Sequence, residues 1–220
     1  MAESAAHFSA LLKHVEPMLR ENGFLRKRAI FYVTRGENVG LIEFQKSVKS
    51  RSDALVFTVN AGVYVSRIRR FLRGEMAEKW PELDDCHWRE RIGSMLPSRN
   101  DMWWQVESDA AVDRVAEEVS AAITSTVIPQ VRAYLDETTL RDLWLRGQSP
   151  GLTDMQRLTA LSVLLMDIGP VERLAFVLDE LRRQSEGKPN EAVVASHIQK
   201  VERERSIRSR RSTPARQMAK

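Results

Sequence analysis

The chain has 220 residues, 43% of them apolar and 29% charged, which suits one sizeable domain or a domain with an appendage, and excludes a fibrous or wholly disordered chain. Its single cysteine, Cys86, excludes an intramolecular disulfide and fits a reducing compartment. The net charge of +4 sits at one end: residues 201–220 carry seven basic side chains against Glu202 and Glu204, which leaves residues 1–200 close to neutral.

The longest uncharged run of note, residues 120–131, has 12 positions, whereas a membrane span needs about 20. The N-terminus has no basic segment ahead of an apolar run, and His14 and Glu16 interrupt its apolar residues, so no signal peptide is expected. The expectation is a soluble, cytoplasmic protein with no membrane association.

Residues 6–22 predict the first helix. Phe8, Leu11, Leu12, Val15, Met18 and Leu19 recur at three- and four-residue spacing, and Gly23 follows as the stop. His7 and His14 lie two turns apart on it, about 10 Å at the helical rise, too far for one metal ion.

A strand-rich block comes next. Residues 29–34 (AIFYVT) and 39–47 (VGLIEFQKS) flank a turn at Arg35, Gly36, Glu37 and Asn38 and read as a hairpin; residues 54–65 (ALVFTVNAGVYV) read as a third strand. Alternation puts Leu55, Phe57, Val59, Ala61 and Val63 on one face and Val56, Thr58, Asn60 and Tyr64 on the other. For Ile42 and Phe44 to share the core of Phe57 and Val59, antiparallel partners must have numbers that sum to an odd value, as in Phe44 opposite Phe57 and Ile42 opposite Val59. The same parity forces Glu43 and Gln45 onto the face of Thr58 and Asn60.

Residues 66–85 run from basic to acidic and read as a short helix with a loop. Residues 86–93 (CHWRERIG) alternate, with Cys86, Trp88 and Ile92 on one side and His87, Arg89 and Arg91 on the other; residues 101–106 (DMWWQV) predict a last short strand with Trp103 and Trp104 on opposite faces. Ser108 or Asp109 caps a long helix with Val112, Val115, Val119, Ile123 and Val127 as its stripe, kinked or ended by Pro129.

Helices alone fill the rest. One covers 139–146 and stops at Gly147. Thr153 with Gln156 makes a capping box for a helix ending at Gly169, Pro170 opens the next at its first position with Val171, Leu174, Val177, Leu178 and Leu181 buried, and Asn190 caps the last, which runs into the basic tail. The fold class is therefore α+β. Residues 1–136 form a sheet domain with an N-terminal helix, about five antiparallel strands and a long helix packed on them. Residues 137–206 form a helical extension and residues 207–220 a basic disordered tail.

Gly23-Phe24, Phe44-Gln45-Lys46-Ser47, the run FTVNAGV from Phe57 to Val63, Arg91-Ile92-Gly93, Asp101 and Trp103-Trp104 occur in that order. Together they resemble the bacterial family catalogued as domain of unknown function 4304, over roughly residues 8–135. The resemblance implies an α+β frame and no activity, and it does not reach residues from 139 onward.

The chemistry is sparse. There is no CxxC or HExxH, the four histidines are scattered, and no metal or cofactor is expected. Adjacent strand residues point to opposite faces, so Cys86 and His87 cannot pair. Ser47 lacks a nucleophile elbow, and the stretch ending in Lys46-Ser47 has one glycine and a strand pattern, unlike a phosphate loop.

What remains is a polar sheet face of Glu43, Gln45, Thr58 and Asn60, joined by Arg91 and Trp103. As a ligand site it offers amides for paired recognition, a guanidinium fork and an indole wall. The competing reading is an internally satisfied face in which Glu43 pairs with Arg91 and Asn60 bonds to a bulge near Gly62.

Three function classes follow. The first is a non-enzymatic module binding a protein or small ligand through this face, a profile shared with immunity proteins of bacterial toxin systems. The second is an enzyme using Glu43 as general base beside Gln45 and Asn60. The third is a nucleic-acid-associated protein relying on Arg203, Arg205, Arg208, Arg210 and Arg211, although the tail lacks the aromatics that stack on bases. The binding module ranks first.

Overall fold

The apolar stripe of the first helix sets one wall of the fold. In the computed structural model, which describes residues 3–74 and 79–211 without the side chains of residue 171 and residues 209–211, α1 (Glu3–Glu21) buries Leu11, Leu12, Val15 and Leu19. It ends where Gly23 turns the chain at φ +80°, a left-handed conformation that costs glycine little.

The chain then builds a six-stranded antiparallel sheet from β1 (Leu25–Lys27), β2 (Ile30–Arg35), β3 (Asn38–Lys46), β4 (Leu55–Tyr64), β5 (Trp88–Arg91) and β6 (Trp104–Val106). The order is β1-β2-β3-β4-β5, and β6 pairs with the first residues of β4 while β5 pairs with the last. The sequence did not signal β1, because its three residues, Leu-Arg-Lys, carry no apolar alternation.

β3 and β4 pair with Ile42 opposite Ala61, Glu43 opposite Asn60, Phe44 opposite Val59 and Gln45 opposite Thr58. The parity and the faces are as expected, but the expected partners Phe44–Phe57 and Ile42–Val59 are two residues out. The connecting loop sets the offset. Ser47 N–H donates to the Val56 carbonyl, and the Ser50 hydroxyl both donates to that carbonyl and accepts from Val56 N–H. Alternation is blind to a turn closed by a side chain.

The inner face is apolar. Phe31, Phe44, Phe57 and Trp104 follow one another with ring centroids 5.7, 6.2 and 5.7 Å apart, all buried; burying each ring contributes roughly 2–3 kcal/mol. This face packs against α1 and the helices after the sheet. α4 (Asp109–Ala122) passes through a π-helical stretch, Ile123–Val127, into α5 (Ile128–Tyr134). Pro129 therefore does not end the helical path: the wider turn before it takes up the lost N–H and the ring clash.

The outer face carries a second apolar cluster of Tyr32, Val39, Leu41, Tyr64 and Cys86, with Trp80 and Leu83 packed on it. Cys86 was expected beside Trp88 and is not. A 3-10 turn, Leu83–Asp85, ends at Cys86, and β5 begins only at Trp88, so the alternation does not extend back to the cysteine. Trp88 lies on the inner face against Tyr134, centroids 4.9 Å apart.

The chain divides into two compact units, Met1–Ser66 with Met76–Leu140, and Arg67–Glu75 with Arg141–Lys220. Nearly all of α2 (Ser66–Arg73) falls in the second, where Arg67 pairs with Asp167 at 3.0 Å and the Lys200 ammonium donates to the Phe71 carbonyl. That unit also holds the end of α6 (Glu137–Leu145), then α7 (Asp154–Leu165), α8 (Val171–Ser185) and α9 (Glu191–Arg211). The Thr153–Gln156 capping box is present, with Gln156 N–H donating to Thr153 Oγ1 at 3.3 Å and Thr153 N–H to Gln156 Oε1 at 2.9 Å.

Three expectations shift here. α7 stops at Leu165, short of Gly169, and Pro170 is the cap of α8 rather than its first helical residue. α9 runs to Arg211, so the stretch expected to be disordered from residue 207 starts as helix. Residues 212–220 of the basic tail, residues 75–78 and the side chains of Val171, Arg210 and Arg211 lie outside the described residues. Among those described, no helix is long and apolar enough to cross a membrane.

Candidate functional site

Along β3 and β4 the outer face changes character. Val39, Leu41, Gly62 and Tyr64 give way to Glu43, Gln45, Asn60 and Thr58, and β5 adds Arg91 opposite Asn60. The strand period of two and the register above bring these side chains together.

Their partners are mostly one another. Asn60 is 5% exposed; its amide donates to Glu43 Oε2 at 3.1 Å and Gln45 Oε1 at 2.9 Å, and its Oδ1 accepts a long 3.5 Å contact from Arg91 Nε. The Arg91 guanidinium donates to Asp101 Oδ1 at 2.8 Å and lies 5.0 Å over the Trp103 ring. The Trp103 indole N–H donates to the other oxygen of Asp101, also at 2.8 Å. Arg91, and secondarily Trp103, hold the Asp101 carboxyl below the usual carboxylate range, so it is ionised at neutral pH. Thr58 is fully buried and donates to the Met102 carbonyl at 2.8 Å.

Of the six sequence-predicted residues, all stand on this face, but the pairing differs from the expected one. Glu43 does not pair with Arg91, whose carboxylate partner is Asp101. Asn60 does not bond to a bulge near Gly62. Gly62 instead makes room for the cysteine, since a Cβ there would lie 2.7 Å from Cys86 Sγ. Asp101 and the Met102 carbonyl were missed as partners. Asp101 stood out in the sequence only by its place two residues before Trp103 and among the residues that carry the family resemblance, neither of which names its partners, and a backbone carbonyl gives no signal.

Gly93 positions that missed segment. A Cβ on it would lie 2.0 Å from Asn100 O and 2.6 Å from Met102 N, so its lack of a side chain lets residues 100–102 cross close over the short helix α3 (Ile92–Met95).

The other candidates are dispersed. Arg203 is exposed and Arg205 half-buried, and Arg208 is engaged by Asp167. At 3.6 residues per turn, position 203 lies on the opposite side of α9 from positions 205 and 208, so these arginines do not line one face. His7 and His14 meet Asp109 and Asp113 of α4 at 3.1 and 3.2 Å, and among the described residues no group of three or more His, Cys, Asp and Glu side chains could hold a metal ion. Burial pushes the Cys86 thiol well above its ordinary range, and His87 Nδ1 accepts from Val65 N–H.

The sequence model of the family described as Domain of unknown function (DUF4304) matches residues 15–133, more than half of the chain. No curated protein and no solved structure matches.

Proposed function

The chain belongs to the DUF4304 family, and we propose that it is a non-enzymatic interaction module that engages a protein or small ligand through the polar half of its outer sheet face. The observation that carries this is one carboxylate, Asp101, holding both the Arg91 guanidinium and the half-exposed Trp103 indole, which is 37% exposed, in a stacked arrangement. Tryptophan and arginine are the side chains that most often dominate binding energy, and fixing them in advance removes part of the entropic cost of association. Exposed Gln45 extends the patch, its carbonyl already committed to Asn60 and its amide N–H groups available for a partner's acceptor.

An enzyme would need a group aimed at a reacting atom. Here Glu43, Gln45 and Asn60 are turned onto each other, which favours binding over catalysis. The spread of arginines around α9 and the Arg208–Asp167 pair likewise favour the sheet face over a nucleic-acid role for the tail. Immunity proteins of bacterial toxin systems are a comparison at the level of fold class alone, and a reducing cytoplasm is the compartment assumed for the buried thiol. In this reading a sheet domain over 1–136 does the binding, with 137–206 as an extension.

The test places a photo-crosslinking amino acid at Gln45 of the full chain in host cells. A discrete adduct is expected, lost with Arg91→Ala or Trp103→Ala, with none from a crosslinker at exposed Lys13 on α1. Equal labelling at both positions, or an adduct indifferent to Arg91 and Trp103, overturns the proposal.

A further inference from the structure

The helical unit contains a cavity of about 410 Å³ where the end of α6, the start of α7 and the middle of α8 meet. Leu158, Leu161 and Val177 give it an apolar floor, and the Phe176 ring, 62% exposed, stands at its edge. Three guanidiniums line it, those of Arg146, Arg157 and Arg173, against the single carboxylate of Glu180.

The arginines of this region are not alike. On α6–α8 and the residue after α6, Arg141, Arg157, Arg182 and Arg183 each have a carboxylate partner. Arg146 and Arg173, which both face the cavity, have no ion-pair or side-chain hydrogen-bond partner among the described residues. Arg157 is fixed beneath them: only 12% of its side chain is exposed, and it donates to the Trp144 carbonyl at 2.8 Å and to Asp154 at 3.1 Å. Glu180 is already engaged, its carboxylate taken by Arg183 and Gln184.

We propose that this cavity binds a small anionic ligand with an aromatic or apolar body, an organic phosphate or carboxylate, whose acidic group is gripped by Arg146 and Arg173 and whose body lies on Leu161, Val177 and Phe176. Its size suits such a ligand, since small-molecule sites typically span roughly 300–1,000 Å³ and pair an apolar lining with a few convergent polar groups. Arginine presents planar donors that match carboxylate and phosphate oxygens two at a time, and an exposed phenyl ring at the mouth offers a stacking surface. The site shares no residue with the sheet face, so the crosslinking result there leaves this inference untouched.

Calorimetric and NMR titration of the full chain with phenyl phosphate tests it, with benzoate, inorganic phosphate and phenol alongside. Phenyl phosphate or benzoate is expected to bind with Kd below about 1 mM, roughly tenfold more tightly than inorganic phosphate or phenol and more weakly as salt rises; which of the two binds better identifies the anion. The double variant Arg146→Ala/Arg173→Ala loses at least about tenfold, while Arg203→Ala changes nothing. Phe176→Ala weakens phenyl phosphate and leaves inorganic phosphate unaltered. Both arginines are exposed, so thermal melting should be unchanged, and Arg146→Lys/Arg173→Lys should keep part of the affinity. No binding at about 10 mM phenyl phosphate or benzoate, ten times the expected limit, or equal binding by the double alanine variant, overturns the proposal.

Discussion

Replacing Gly93 with alanine sets helix propensity against packing, and the geometry says which prevails. In an α-helix Gly→Ala is worth about 1 kcal/mol of stabilisation. In α3, however, the new Cβ would stand 2.0 Å from Asn100 O and 2.6 Å from Met102 N. Both are backbone atoms, so no rotamer change relieves the contact, and the segment must move by about 1.5 Å to reach van der Waals distance. Overpacking of this kind costs about 1–3 kcal/mol. The displaced segment carries the Met102 carbonyl that accepts from fully buried Thr58, and losing that bond adds about 1–3 kcal/mol. The net expectation is a loss of roughly 1–5 kcal/mol in urea unfolding followed by tryptophan fluorescence, since Trp80, Trp88, Trp103 and Trp104 lie in the sheet unit. The same shift moves Asp101 and loosens Trp103, so acrylamide quenching of the native state should rise. A variant as stable as the parent, with unchanged quenching, would refute the claim that Gly93 is there for close approach.

Thr58→Val keeps the shape of the buried side chain but leaves the Met102 carbonyl without its donor; a loss of about 1–2 kcal/mol is expected from urea midpoints, and no loss would mean that the segment is held by other contacts. Cys86, buried and with its thiol pKa raised, should resist a thiol-reactive disulfide reagent in the native state and react promptly only in denaturant; prompt native labelling would contradict its placement. His197 accounts for a pH effect in the helical unit. Burial, then the nearby Lys200 charge, pushes its imidazole from 6.5 down to about 4, so the folded state keeps it neutral where the unfolded chain would protonate it. Stability is therefore complete above about pH 6.5 and falls as the pH drops towards 4. The fall, discounted because the ring is partly exposed, is roughly 1–2 kcal/mol, and it should be absent from His197→Gln in urea midpoints taken across that range.

Wherever apolar periodicity was strong, the sequence was enough. The stripe of α1, the alternation of β3 and β4 and the Thr153–Gln156 box follow from spacing and side-chain type alone. The misses in the sheet register and at Cys86 share one cause, which is that the deciding contact lay outside the pattern. A serine hydroxyl in the loop after β3 moved the register by two, and a 3-10 turn cut Cys86 off from the strand it precedes. The candidate face was legible as a set of residues because parity fixes which side each one takes. Its bonding was not, because the partners of Arg91, Trp103 and Thr58 come from a segment that only the close approach at Gly93 brings across.

The network on the outer face then has to be weighed against the apolar alternative. Asn60 and Thr58 are almost wholly buried, and each would cost about 1–3 kcal/mol if left unpaired. Apolar residues there would continue the cluster of Tyr32, Leu41 and Tyr64 on the same face and avoid that risk. The polar groups therefore add little to stability that apolar packing could not supply. What they do supply is position: Thr58 fixes Met102, Asn60 contacts Arg91, and Asp101 between them ties Arg91 to Trp103. A buried layer that fixes the exposed Trp103 indole under a guanidinium supports the recognition role proposed for this face, because it sets the two side chains in place before any partner arrives.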